Sequence, residues 1–315
     1  MKADFICLGE SMTKQTKTAM ALGTFDGLHK GHQAVIKAAL DFGREGLEAR
    51  VLLFDAHPQK VLTGVSPGEL LTPMLRAREL ARLGIQAETV VFEEIKDWEA
   101  ERFFDEILLG RLHCAAVSCG ATYRFGRGGA GNAALMEKLC RENDVAFTLA
   151  ETVMCAGEPV SSTRIRKALE NGDTELAAEM LGRPFSYDFE VVYGRRLARY
   201  MGTPTMNQLF PEGFCIPKNG VYLSGAAIGE HPRVAVTNIG IQPTFDGKQL
   251  RSETNILDFD GELYGQRVEV SLLHYLRPEM KFRSLGALRE QIASDSAKAR
   301  ELFLRFAPDS RQING

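Results

Sequence analysis

From residue 19 to residue 149 the chain alternates short apolar runs with longer amphipathic stretches, and this alternation constrains its fold more than any other feature. AMALGTF (19–25), RVLLF (50–54), ETVVF (88–92), AAVSC (115–119) and VAFTL (145–149) have the length of strands. GHQAVIKAALDFGR (31–44), PMLRARELARLG (73–84), EAERFFDEILLGRL (99–112) and AALMEKLCREN (133–143) have helical spacing. A strand that is apolar along its whole length must be covered on both faces. The pattern therefore predicts an α/β domain with a parallel sheet between helices. Ligands of such sheets gather at the carboxyl ends of the strands.

Near residue 183 the pattern changes. DTELAAEML (173–181) reads as a helix and LGRPFS (181–186), with its Gly and Pro, as a linker. Strand-like segments follow: FEVVY (189–193), GVYLSGAA (220–227), RVAVTNI (233–239), TNILDF (254–259) and RVEVSLLHY (267–275). Asn-Gly at 219–220 and Asp-Gly at 246–247 and 260–261 punctuate them. Short strands with such turns predict an antiparallel barrel or sandwich. SLGALREQIASDSAKARELFLRF (284–306) reads as one or two closing helices with Ser284 at the N-cap. At about 150 residues per domain, 315 residues suggest two, here 1–182 and 183–315.

Composition excludes several classes. Hydrophobic residues are 44% and charged residues 25%, which fits a globular chain. No apolar run approaches the length of a membrane span, and MKADFICLGESMTKQTK does not read as a signal peptide. Net charge is −3, from 38 basic and 41 acidic residues, so nothing electrostatic calls for a nucleic-acid or membrane partner. The six cysteines, Cys7, Cys114, Cys119, Cys140, Cys155 and Cys215, form no C-x-x-C pair and predict reduced, mostly buried thiols of a cytoplasmic protein.

Two segments carry phosphate chemistry. Residues 23–32 read GTFDGLHKGH, between the first strand and the first helix. A helix start offers free N–H groups and a positive dipole end to a phosphate, and Gly23 and Gly27 permit close backbone approach. His29 and His32, three residues apart, present two imidazoles to one ligand, and Phe25 lies between the glycines. Such donors can stabilise charge at an α-phosphate with no protein nucleophile. The second segment, SSTRIR (161–166), opens a helix with Ser162 and Thr163 and places Arg166 one turn in, suited to β- and γ-phosphates.

The H-x-G-H element resembles the signature of the nucleotidyltransferase superfamily. LFDAHP (53–58) and YRFGRGGAG (123–131) further resemble the flavin-site segments of bacterial FAD synthetases, through Phe54, His57, Pro58, Arg124 and Phe125. Ala56 stands for that family's proline, Tyr123 for its first Phe and Thr122 for its Asp or Asn. Gly126-x-Gly128-x-x-Gly131 also spells a dinucleotide fingerprint. It starts seven residues after its strand ends, too late for that role, and reads instead as a flexible loop.

The second half contains GTPTMN (202–207), NGVY (219–222), NIGIQPTF (238–245) and ETNILDFDGELYG (253–265). Together these resemble the riboflavin kinase module of bifunctional riboflavin kinase/FAD synthetases, a resemblance that covers nearly the whole chain. It implies an α/β nucleotidyltransferase domain followed by a small β-barrel with C-terminal helices. It implies phosphorylation of riboflavin to FMN and adenylylation of FMN to FAD with release of pyrophosphate. It implies ATP with Mg²⁺ as co-substrate, FMN as intermediate and FAD as product, and the expected state is a monomer or weak homo-oligomer. Thr205 and Asn207 are implied to hold Mg–ATP beside Gly194, Arg199 and Gly202, and Glu253 to be the general base. Phe189 and Ala198 stand where the family has glycines, and Met206 where it has Ala. If Phe189 hampers a glycine-dependent turn, Phe189→Gly raises kinase activity. The alternatives are an FAD synthetase with a decayed kinase half and a flavin-binding module without turnover.

Overall fold

A computed structural model of the chain describes residues 16–193, 205–229, 231–244 and 247–306. Among these the chain divides into two compact units. One holds residues 16–23, 35–52 and 85–150, and the other 24–34, 53–84 and the described residues from 151 onward.

The first unit is built on a five-stranded sheet in the spatial order Gln86–Val90, Glu48–Phe54, Thr18–Leu22, Cys114–Cys119, Ala146–Leu149. Thr18–Leu22 is buried along its whole length and runs parallel to both neighbours, as its unbroken apolar run requires. Strand order reverses beside Thr18–Leu22, so the residues after Leu22 leave the sheet at its switch point.

One helix departs from the sequence pattern. Ala100–Phe103 begins as an α-helix and continues as a π-helix over Phe104–Arg111. Phe103 of the α-helical turn, Phe104, Ile107 and Leu108 of the π-helix and Leu112 after it are all buried. Two of the glycines of 126–131 pack closely. A Cβ on Gly126 would lie 2.8 Å from the Ala100 backbone, and one on Gly131 2.7 Å from the Phe125 ring. They permit close packing, and Asn132 then caps the helix Ala133–Glu142. Cys114, Cys119 and Cys140 are buried free thiols here, as are Cys155 and Cys215 in the second unit. Burial pushes Cys114, Cys119, Cys140 and Cys215 up to about 12.

The second unit contains an antiparallel sheet in the order Phe185–Tyr187, Val270–Arg277, Gly220–Ile228, His231–Thr244, Gly247–Ile256, Thr205–Leu209, Val191–Val192. Its first and last strands are successive pieces of the stretch 185–192, so the sheet curls until this stretch joins its two edges. The expected linker is accordingly short. The helix Thr174–Leu181 ends on Gly182, whose φ is 78°, and the strand starts at Phe185, buried with Tyr187. Inside the sheet a ladder of buried hydroxyls runs from Ser224 to Thr237 to Thr254 at 2.7 and 2.9 Å. Ser284 caps a single closing helix, Leu285–Phe306, whose Asp295 accepts from Arg277 Nη2 at 2.7 Å.

Phe189 belongs to the core of this unit. It is 6% exposed, and its ring lies 5.0 Å from those of Tyr187 and Phe214 and 5.3 Å from Phe210. Its φ is not positive, so no glycine is needed there. Phe189→Gly should therefore lose stability, by about 3–5 kcal/mol or more, and gain no activity. A variant with an unchanged urea midpoint and faster phosphoryl transfer would restore the glycine-turn expectation.

Candidate functional site

The loop that leaves the first strand is shaped by three residues with left-handed backbone: Phe25 (φ 49°), Gly27 (φ 79°) and Leu28 (φ 46°). Such φ values strain large side chains, and here both Phe25 and Leu28 are held by complete burial. A Cβ on Gly27 would meet Leu70 Cδ1 at 2.9 Å, so packing and backbone both require glycine. A Cβ on Gly31 would lie 3.1 Å from His29 Cε1. The glycine between the histidines thus lets the His29 ring lie against the start of the helix Lys30–Gly43. The two imidazoles stack with centroids 3.7 Å and planes 13° apart, and the Phe25 ring stands 5.3 Å from His32.

Both imidazoles are neutral at pH 7. Burial, with a contribution from Arg183 and Arg166, pushes His29 down to about 4. His32 lies well below its ordinary value through burial and the adjacent His29. The His32 backbone N–H donates to His29 Nδ1 at 3.2 Å. Nδ1 is therefore an acceptor, and the neutral ring carries its proton on Nε2, as a donor.

The SSTRIR segment meets this loop. Ser161 caps the helix Ser162–Asn171, accepting from the Arg164 N–H at 3.3 Å. Ser162 Oγ donates to the Asp26 carbonyl at 3.0 Å, and Thr163 is exposed at the helix start. Arg166 pairs with the Asp26 carboxylate, and its Nε donates to the Gly68 carbonyl at 2.7 Å. Arg183 Nη2 donates to the Gly27 carbonyl at 2.8 Å. Asp26 and Arg183 were not singled out from the sequence. Asp26 had a signal, being a lone carboxylate within an apolar turn, whereas Arg183 sits in a stretch that reads as linker.

The flavin-type residues fall in both units. Phe54 ends its strand, and His57 caps the short helix Pro58–Thr63, its Nδ1 accepting from the Gln59 N–H at 3.2 Å. Burial lowers the His57 pKa. Arg124 is exposed, while Phe125 is buried against Tyr123 and Phe103.

On the curled sheet, cross-strand register sets Asn207 opposite Glu253 and Glu253 opposite Asn238. Opposed residues share a face, so these three side chains stand in a row, with Thr205 two residues along. Met206 and Gln208 alternate to the inner face, which accounts for Met206 in the core. Arg251 Nη1 reaches Asn207 Oδ1 at 3.4 Å, and Asn238 Nδ2 reaches Glu279 Oε1 at 3.4 Å. Gly194, Ala198, Arg199 and Gly202 lie outside the described residues.

A parallel sheet whose first strand runs on into a loop with two stacked imidazoles, followed along the chain by a curled antiparallel sheet bearing an Asn–Glu row, is the organisation expected of a two-module nucleotide-dependent transferase. Residues 11–164 match the FAD synthetase family and residues 181–303 the riboflavin kinase family. The bifunctional riboflavin kinase/FMN adenylyltransferase of Listeria monocytogenes is 35% identical over 295 residues, 91% of this chain and 93% of its own. Its Escherichia coli K12 counterpart is 33% identical over 298 residues, 93% and 95% of the two chains. A crystal structure described as a macrolide-efflux protein from Streptococcus pneumoniae has a TM-score of 0.83 and 29% identity, covering 91% of this chain and 94% of that one. The chain belongs to the family of bifunctional riboflavin kinases/FMN adenylyltransferases. It is a transferase of FAD biosynthesis, phosphorylating riboflavin to FMN and adenylylating FMN to FAD with ATP. No helix among the described residues is long and apolar enough to cross a membrane.

Proposed function

We propose that adenylyl transfer takes place at the histidine loop and phosphorylation at the Asn207–Glu253 row, with the modules divided at residues 182 and 183. In the first reaction an FMN phosphate oxygen attacks the α-phosphorus of ATP. A new P–O bond forms, the bond to the β-phosphate breaks, and pyrophosphate leaves. The observation that carries this reading is the hydrogen bond from the His32 N–H to His29 Nδ1, which leaves Nε2 as the ring's donor. As a neutral imidazole with its proton on Nε2, His29 donates to an α-phosphate oxygen as charge builds, without reorganising. His32 stacks beside it as the second imidazole, and Gly23, Phe25 and Gly27 shape the loop. Ser162, Thr163 and Arg166 meet the β- and γ-phosphates at the start of their helix. Phe54, His57, Pro58, Arg124 and Phe125 serve the flavin.

In the second reaction Glu253 takes the proton of the riboflavin 5′-hydroxyl as that oxygen attacks the γ-phosphorus and ADP leaves. The donor set fits magnesium: Thr205 and Asn207 offer neutral oxygens on one side of a strand, beside a carboxylate. When bound with ATP, the ion neutralises phosphate charge. Gly194, Arg199 and Gly202 complete the ATP site in this reading, and the protein acts in the cytoplasm as a monomer or weak homo-oligomer. The decayed-kinase alternative loses its main ground, because Phe189 is a core residue rather than a misplaced loop residue. Riboflavin incubated with Mg–ATP should yield FMN and then FAD, and excess EDTA should stop both until Mg²⁺ is restored. Turnover undiminished by EDTA would remove magnesium from the reading, and FAD formed only from supplied FMN would remove the kinase site.

A further inference from the structure

The segment Ser66–Thr72 is bonded on both of its sides, and all its partners lie in the second unit. Toward the histidine loop, the Leu70 N–H donates to Asp26 Oδ1 at 3.0 Å, and the Gly68 carbonyl accepts from Arg166. Toward the barrel, Glu69 forms a β-bridge with Phe214. Its N–H donates to the Gly213 carbonyl at 2.8 Å, and its carbonyl accepts from the Cys215 N–H at 2.9 Å. The Thr72 hydroxyl donates to the carboxylate of Asp188, the residue before Phe189, and both are buried. Close approach is required here, since a Cβ on Gly68 (φ 90°) would lie 3.2 Å from Cys215 Cα. The segment is a strap whose alternate backbone groups grip two different structures.

Asp26 is 2% exposed, and a carboxylate buried that far depends on its partners. Those partners are the strap N–H and Arg166, and Arg166 is itself held by the strap carbonyl. If the strap shifts, Asp26 loses a donor and Arg166 loses its anchor. Among the described residues, no strap residue bonds Asn207, which is held by strand register to Glu253 and Val192.

We propose that Asp26 and Thr72 are positioning residues for adenylyl transfer. The barrel, through the strap, holds Asp26 and Arg166 in place, so that FAD formation needs a bond to the barrel that FMN formation does not. This inference rests on the assignment of adenylyl transfer to the histidine loop.

The test uses the full chain with Thr72→Val, Asp188→Ala, their double variant and Thr72→Ser, and measures both reactions. Each single change should raise the KM for ATP or lower the rate of FAD formation by about tenfold, within the range of energetic coupling between linked sites. The double variant should lose less than the two single losses combined, because both changes delete the same bond, although Asp188 also pairs with Arg267 and Thr72 also caps the Leu75 N–H. Thr72→Ser, which keeps the hydroxyl and the helix cap it also supplies to the Leu75 N–H, should restore the rate. FMN formation from riboflavin should be unchanged throughout. Normal FAD formation in Thr72→Val, additive losses, or a parallel fall of both activities would overturn the proposal. A His29→Ala, His32→Ala chain run alongside separates the two failures. If it still makes FAD, the site assignment is wrong. If it does not while Thr72→Val is normal, only the strap inference falls.

Discussion

Replacing both His29 and His32 with alanine is expected to lower FAD formation from FMN and ATP by at least about 10²–10³-fold, the usual cost of removing one preorganised donor. The magnitude follows from how little the wild-type loop has to reorganise. His29 is held by its stack on His32 and by the His32 N–H, and its low pKa keeps it a neutral donor across the physiological range. Gly31 leaves room for this ring, since a Cβ there would stand only 3.1 Å from His29 Cε1. Phosphorylation of riboflavin by the same variant should be unaffected, since Glu253 and Asn207 lie on the barrel. A double variant forming FAD at the wild-type rate would end the assignment.

The second large effect is expected at Glu253. Glu253→Gln keeps the side chain's shape and removes its basicity, and FMN formation should fall by about 10²–10⁴-fold, the usual contribution of general acid–base catalysis. FAD formation from supplied FMN should continue. Glu253 is half-buried on the outer face of its strand, so the fold should tolerate the change, and the thermal midpoint checks this. Asn207→Ala should also slow FMN formation, partly through weaker Mg–ATP binding, so that higher Mg–ATP recovers some of its rate. A Glu253→Gln chain as active as wild type would show that another group accepts the hydroxyl proton.

Much of this was legible in the residues. Periodicity of two and 3.6 located the strands and helices, because an apolar face must be buried whatever covers it. The histidine loop was legible because its chemistry lies within ten consecutive residues and its glycines are demanded by local backbone and local contact. Other features depended on partners distant in sequence. Phe189 could be compared only with a glycine in related chains, until Tyr187, Phe210 and Phe214 surrounded it. The π-helix at Phe104–Arg111, which buries Phe104, Ile107 and Leu108, had no signal in the local spacing.

The sequence alone determined the α/β half, the antiparallel half that follows it and the residue types proposed to handle phosphate, because these follow from local pattern and side-chain chemistry. Only the tertiary structure decided which of those groups meet. Arg166 turned out to pair with Asp26, 140 residues away in the chain, and Glu253 to stand opposite Asn207. No local rule specifies such contacts, since a charged side chain or a strand register is settled by whichever partner compensates its burial, and that partner is brought close only by the folding of the whole unit.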